Sequence, residues 1–64
     1  MNKPPAKIIG ANGNVFNLLA ICMRSLKGAS MKDKAEEMKN RVTSSKSYDD
    51  ALAIMMEYIE PVSV

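Results

Sequence analysis

The sequence predicts an α+β fold, a short N-terminal strand followed by three helices, in one domain spanning residues 1–64. Three observations predict it. Lys7-Ile8-Ile9 places two β-branched residues in a row and is closed by Gly10, the pattern of a short strand. Beyond it the apolar residues recur at helical spacing, and that spacing is interrupted at Gly28–Ser30 and again at Ser44–Lys46. A chain of 64 residues has material for one hydrophobic core and no more.

Met1 to Ala6 reads as a flexible tail, since Pro4 and Pro5 keep it extended. The strand at Lys7–Ile9 needs a partner, either Pro61–Val64 or the same strand of another copy. Helix one is expected from Asn14 or Val15 to Lys27, with Asn14 as N-cap and Gly28 in the left-handed conformation that ends helices. Its residues Val15, Phe16, Leu18, Leu19, Ala20, Ile21, Cys22, Met23 and Leu26 cover almost the whole circumference, which predicts burial on most sides and a subunit interface. Helix two is expected to start at Ser30, with Asp33 completing a capping box, and to run to Val42 or Thr43. Its narrow apolar stripe is Met31, Ala35, Met38 and Val42; Glu37 and Arg41 are placed for an i,i+4 ion pair on the solvated face. Ser47 and Asp50 repeat the capping signal for helix three, which Pro61 ends by Glu60. Ala51, Leu52, Met55, Tyr58 and Ile59 form its core stripe, leaving Ile54 and Met56 as a second apolar surface.

Composition narrows the chemistry. Cys22 is the only cysteine and there is no histidine, so neither a disulfide nor a Cys/His zinc cluster can staple so small a chain. Self-association, a homo-oligomer, is the remaining supplement. A thiol inside an apolar helix reads as a small buried hydrophobe and suits a reducing compartment. The longest apolar run, Val15–Met23, is too short for a membrane span, and the polar, proline-containing start is unlike a secretory signal, which predicts a cytoplasmic protein without a membrane partner. Net charge is +2. Residues 1–27 hold Lys3, Lys7, Arg24 and Lys27 with no acid, and residues 47–64 hold Asp49, Asp50, Glu57 and Glu60 with no base. Opposite signs at the two ends suit complementarity between or within subunits and argue against nucleic acid as the partner.

The junction Gly10-Ala11-Asn12-Gly13-Asn14 is the candidate site. Glycines permit conformations closed to other residues, asparagines tolerate them, and main-chain N–H groups converge where a helix begins, a natural seat for an anion. The segment lacks the spacing of a P-loop and the third glycine of a dinucleotide fingerprint, so a tight turn that solves only geometry is the competing reading. Asn12, Gly13 and Asn14 are the candidates for phosphate or ribose contacts, Arg24 for counter-charge and Tyr48, at a helix start beside a loop, for stacking on a ring. Arg24 lies about three turns into helix one and could reach a ligand there only across an interface. No catalytic residue, metal ligand or cofactor is expected: nothing can act as a histidine base, no serine sits in an activating sequence, and Asp49 and Asp50 are in place as helix-start charges.

Lys-Ile-Ile-Gly-Ala-Asn-Gly-Asn-Val-Phe-Asn-Leu-Leu, a Lys-rich amphipathic helix, Ser-Lys-Ser-Tyr-Asp-Asp-Ala-Leu and a closing apolar helix together resemble a family of very small proteins encoded by phages and mobile elements. That family typically reads Gly-Glu-Asp-Gly-Asn-Ala-Phe in the first segment and Ser-Gly-Asp-Tyr-Asp-x-Leu-Leu in the second. Residues 7–60 are covered, with Ala11 in place of the acid and Ser47 where Asp is usual. The chain is also similar in size and assembly logic to compact phage sponge proteins, in particular the hexameric type that captures histidine-ADP-ribose in anti-Thoeris defence. The resemblance implies non-enzymatic sequestration of a nucleotide-derived, ADP-ribose-like immune signal by a homo-oligomer in the host cytoplasm. The alternative is a phage-encoded interaction module whose helices bind a host protein, with the Gly-Asn loop purely structural. A small DNA-binding regulator is a third reading, weakened by the acidic third helix.

Overall fold

The computed structural model describes residues 2–64, so Met1 of the expected tail lies outside the described residues. The elements are β1 (Pro5–Ile9), α1 (Val15–Gly28), α2 (Lys32–Thr43), α3 (Tyr48–Tyr58) and β2 (Glu60–Ser63). The fold is α+β. β1 starts earlier than expected: Pro5 and Ala6 belong to the strand and not to a tail, and Ala6 is buried in the core. Its partner is β2 of the same chain, in parallel, with Pro5 beside Glu60 and Lys7 beside Val62. Three intervening helices provide the crossover that a parallel pair requires.

The pairing also decides what the sheet shows to the outside. Glu60 N–H donates to the Pro4 carbonyl at 2.9 Å and Val64 N–H to that of Ile9 at 2.9 Å. Main-chain groups alternate along a strand, so Pro61 and Ser63 turn theirs away from β1, and Pro5 and Lys7 turn theirs away from β2. Each free edge therefore carries a proline with no N–H. Such edges resist strand addition.

α1 is bounded as its caps require. Asn14 Oδ1 accepts from Phe16 N–H at 2.9 Å. The other end corrects the expectation for Gly28, which is the last helical residue and has an ordinary negative φ. The left-handed residue is Ser30, at φ 62°. Ser30 N–H donates to Lys27 O at 3.1 Å and Met31 N–H to Leu26 O at 2.8 Å, the two bonds of a Schellman motif. Ser30 so placed cannot also cap α2. That helix begins at Lys32 behind Met31, with no side-chain cap, and only Asp33 of the expected capping box remains, as a first-turn charge.

Helix α3 starts where Ser47 Oγ accepts from Asp50 N–H at 3.0 Å, and Asp50 Oδ2 returns to Lys46 N–H at 3.3 Å. It stops at Tyr58, two residues before the expected limit, because the chain becomes extended at Ile59 to enter β2.

The core unites Ala6 with Leu18, Leu19, Cys22 and Leu26 of α1, Ala35, Met38 and Val42 of α2, and Ala51, Ile54, Met55, Tyr58 and Ile59. Ala35, Met38 and Val42 of the expected α2 stripe are buried, and Met31, which precedes the helix, is half-buried. Ile54, expected on a second surface, is buried, and Leu52, expected in the core, is only half-buried. Ile54 lies closer than Leu52 to the direction of Ala51, Met55 and Tyr58. α1 packs against β1, α2 and α3, so three elements of its own chain bury the stripe from Leu18 to Leu26. Phe16 and Ala20 are left exposed.

The expected Glu37–Arg41 pair does not form. Arg41 instead reaches across to α3, with Nη1 donating to Glu57 Oε1 at 2.8 Å and Nη2 to Glu57 Oε2 at 3.1 Å, and Nη1 also donates to the Tyr58 hydroxyl at 3.0 Å. Tyr58 OH in turn donates to Glu37. A two-pronged carboxylate matches the guanidinium fork better than a single contact along the helix.

The cleft between the helix starts

The Gly-Asn junction is folded on itself. Ala11 N–H donates to Ile8 O at 3.3 Å as the chain leaves β1, and Gly10 holds φ 86°, a value that glycine adopts without strain. Asn12 Oδ1 accepts from Asn14 N–H at 3.0 Å, and Asn12 O accepts from Asn17 Nδ2 at 2.9 Å. With Asn14 capping Phe16, both asparagine side-chain oxygens and two of the N–H groups at this helix start are engaged within the loop. Gly13 has no positive φ. Its small size is used by Tyr48, whose hydroxyl donates to Gly13 O at 2.5 Å and would lie 3.3 Å from any Cβ added there.

That bond brings the start of α3 against the start of α1 and produces a cleft. Its cavity of about 420 Å³ is walled by Val15, Val42 and Ala51, with Phe16, Lys46 and Tyr48 among its lining residues. Phe16 is 71% exposed and Tyr48 46%. Two aromatic rings left in solvent beside a concave apolar wall form a surface suited to a flat ring. Lys46 brings a cation, and α1 has no acid in its first turn to oppose a negative group. Asp49 and Asp50 sit in the first turn of α3 and are not among the lining residues.

Of the five residues singled out in the sequence, only Tyr48 lines the cleft; Asn12, Gly13 and Asn14 adjoin it through the Tyr48–Gly13 bond. Arg24 does neither. It lines a separate depression with Pro5, Lys7, Ile21 and Ser25, on the side of α1 away from the core. Phe16 and Lys46 were missed. Phe16 belongs to the apolar circumference of helix one, yet it lies about 100° around α1 from the centre of the buried stripe, a signal that helical periodicity contains. On the other side of Tyr48 runs an apolar groove of about 360 Å³ lined by Ile8, Ile9, Leu18, Leu52, Met56 and Pro61, among others.

Cys22 is fully buried, and burial pushes its thiol up to about 11, so it stays protonated at neutral pH. Among the described residues there is no group of three or more His, Cys, Asp or Glu side chains placed to hold a metal ion, and no helix long and apolar enough to cross a membrane. No family model, curated protein or solved structure matches the chain.

Proposed function

We propose that this protein binds a small nucleotide-derived molecule of the ADP-ribose type and holds it without transforming it, as an oligomer that sequesters a signal. The observation that supports this reading best is the cleft beside the Gly-Asn junction, whose volume of about 420 Å³ falls within the usual range for small-molecule sites. In this reading Phe16 and Tyr48 take the base, Lys46 meets negative charge, and the Asn12–Asn14 loop acts mainly by fixing Tyr48 and the start of α1. The loop's polar groups are engaged internally, so their direct contacts with phosphate or ribose are secondary to the aromatic contacts. Mass spectrometry of small molecules released on denaturation tests it, after incubation of the protein with an ADP-ribose derivative. The derivative is expected back at unchanged mass and in stoichiometric amount. Steady appearance of a product would overturn sequestration.

A second reading, a module that binds another protein, is favoured by a different observation. The groove beyond Tyr48 contains no charged residue, and Ile9 and Met56 in it are 53% and 44% exposed, with Val64 at 69% nearby. An uncharged concave strip flanked by exposed large apolar side chains is a common form of protein contact surface. Variants separate the two: Met56→Asp should abolish a protein contact and leave nucleotide binding intact, and Phe16→Ser should do the reverse.

A further inference from the structure

The depression that holds Arg24 differs from the other concave surfaces of the molecule. It has a volume of about 390 Å³ and is lined by Pro5 and Lys7 of β1 and by Ile21, Arg24 and Ser25 of α1. It has two cationic lining residues and no acidic one. In four other depressions the bases are Lys46 alone, Lys3 beside Glu60, Lys32 and Lys34 beside Asp33, and none.

Of the nine lysines and arginines four are engaged, and among the described residues Lys27, Lys32 and Lys46 are unpaired like Lys7 and Arg24; what sets Lys7 and Arg24 apart is that they share one depression. Arg41 is bound to Glu57, Lys34 to Glu37, Lys39 to Glu36, and Lys3 Nζ donates to Met56 O at 2.9 Å. Among the described residues Lys7 and Arg24 have no carboxylate within 4.0 Å and no side-chain hydrogen bond, and the Ser25 hydroxyl has none either. α1 carries no acidic residue along its whole length. The main chain adds a further donor: Lys7 turns its N–H away from β2, toward the free edge of β1.

We propose that this depression is an anion site for a phosphate or pyrophosphate group, with the Arg24 guanidinium and Lys7 ammonium supplying charge and the Ser25 hydroxyl and Lys7 N–H supplying directed hydrogen bonds. Ile21 and Pro5 form the apolar wall that strengthens these contacts by excluding water from one side. Guanidinium and main-chain N–H donors favour a tetrahedral oxyanion with several acceptor oxygens over a single chloride. The site is independent of the aromatic cleft, so either can fail without the other.

The test is a titration of the whole ¹⁵N-labelled protein with inorganic pyrophosphate at low ionic strength, followed by NMR. Saturable shifts are expected at the amides of Lys7 and Ser25 and at Arg24 Nε. Arg24→Gln should weaken binding at least fivefold and Arg24→Lys by less, since it keeps charge and loses the fork. Lys32→Gln, which removes the same charge at the distant start of α2, should leave affinity unchanged. Co-sedimentation with phosphatidylglycerol vesicles identifies the source: retention lost in Arg24→Gln assigns the group to a lipid headgroup, and no retention with pyrophosphate binding intact assigns it to a soluble ligand. Shifts that never saturate, or equal weakening by Arg24→Gln and Lys32→Gln, would overturn the proposal.

Discussion

Single residues show where local rules decide the structure and where they compete. Asn14 and Ser47 cap α1 and α3 as their sequence context announces, because a cap bond spans only two or three residues. At Gly28-Ala29-Ser30 two local signals conflict, and the Schellman motif at Ser30 prevails over both a glycine terminus at Gly28 and a cap on α2. Stability measurements can read that outcome. Gly28 is helical with open space around its Cβ position, so Gly28→Ala should raise stability by about 0.5–1 kcal/mol. Ser30→Gly should raise it by a similar amount, about 1 kcal/mol, by relieving the left-handed conformation. Urea unfolding checks both; a loss in Gly28→Ala would restore the left-handed glycine. Cys22 supplies a second prediction. Its thiol is held above its unfolded value of 9.0, at about 11, so its contribution is complete below about pH 9 and disappears as pH rises through 11. Tyr58, raised by burial and by its bond to Glu37, acts in the same direction. The urea midpoint should hold from pH 7 to 9 and fall above it, and Cys22→Ala should fall less steeply than the parent.

At the scale of elements, the three helices were legible because their periodicity is strong, and the sheet was legible as a strand with two candidate partners, Pro61–Val64 or another copy, of which the structure has the first. β1 and β2 are separated by nearly the whole chain, and a parallel pairing of such short strands leaves no turn signal between them. The bond from Arg41 to Glu57 was hidden for the same reason, since the rule for i,i+4 pairs sees only one helix. The cleft was half legible: Tyr48 and the junction were marked by turn and cap residues, whereas Phe16 and Lys46 belong to it only because α1, α2 and α3 converge there. These elements depend on a few buried side chains. Leu26 and Met55 are completely buried, and replacing either with alanine should cost about 2–5 kcal/mol. A domain of this size has about 3–5 kcal/mol in total, so the variants should have lost most of their far-UV helix signal at 25 °C. Retention of a sharp unfolding transition close to that of the parent would show that the core extends beyond this chain.

The molecule as a whole is as compact as an ordinary monomer. Its accessible surface of 4064 Å² matches the roughly 4,000 Å² expected for a folded chain of 7.0 kDa, and its radius of gyration of 10.4 Å is close to the expected ~10.7 Å. The proposed self-association rests on the exposed apolar side chains of Ile9, Phe16, Tyr48, Met56 and Val64, and it must proceed through side-chain faces because Pro5 and Pro61 close both sheet edges. Light scattering at micromolar concentration should give a multiple of 7.0 kDa; a monomer at every concentration would remove the oligomer from the account. The central claim is that the cleft holds a nucleotide-derived ligand on Phe16 and Tyr48. Calorimetry with ADP-ribose derivatives on the parent, Tyr48→Ala and Phe16→Ser tests it most directly, once circular dichroism shows all three folded. Saturable binding by the parent and a weakening of roughly tenfold or more in each variant, the usual cost of losing an aromatic stack, is the predicted result; no binding by the parent, or equal binding by all three, would contradict it.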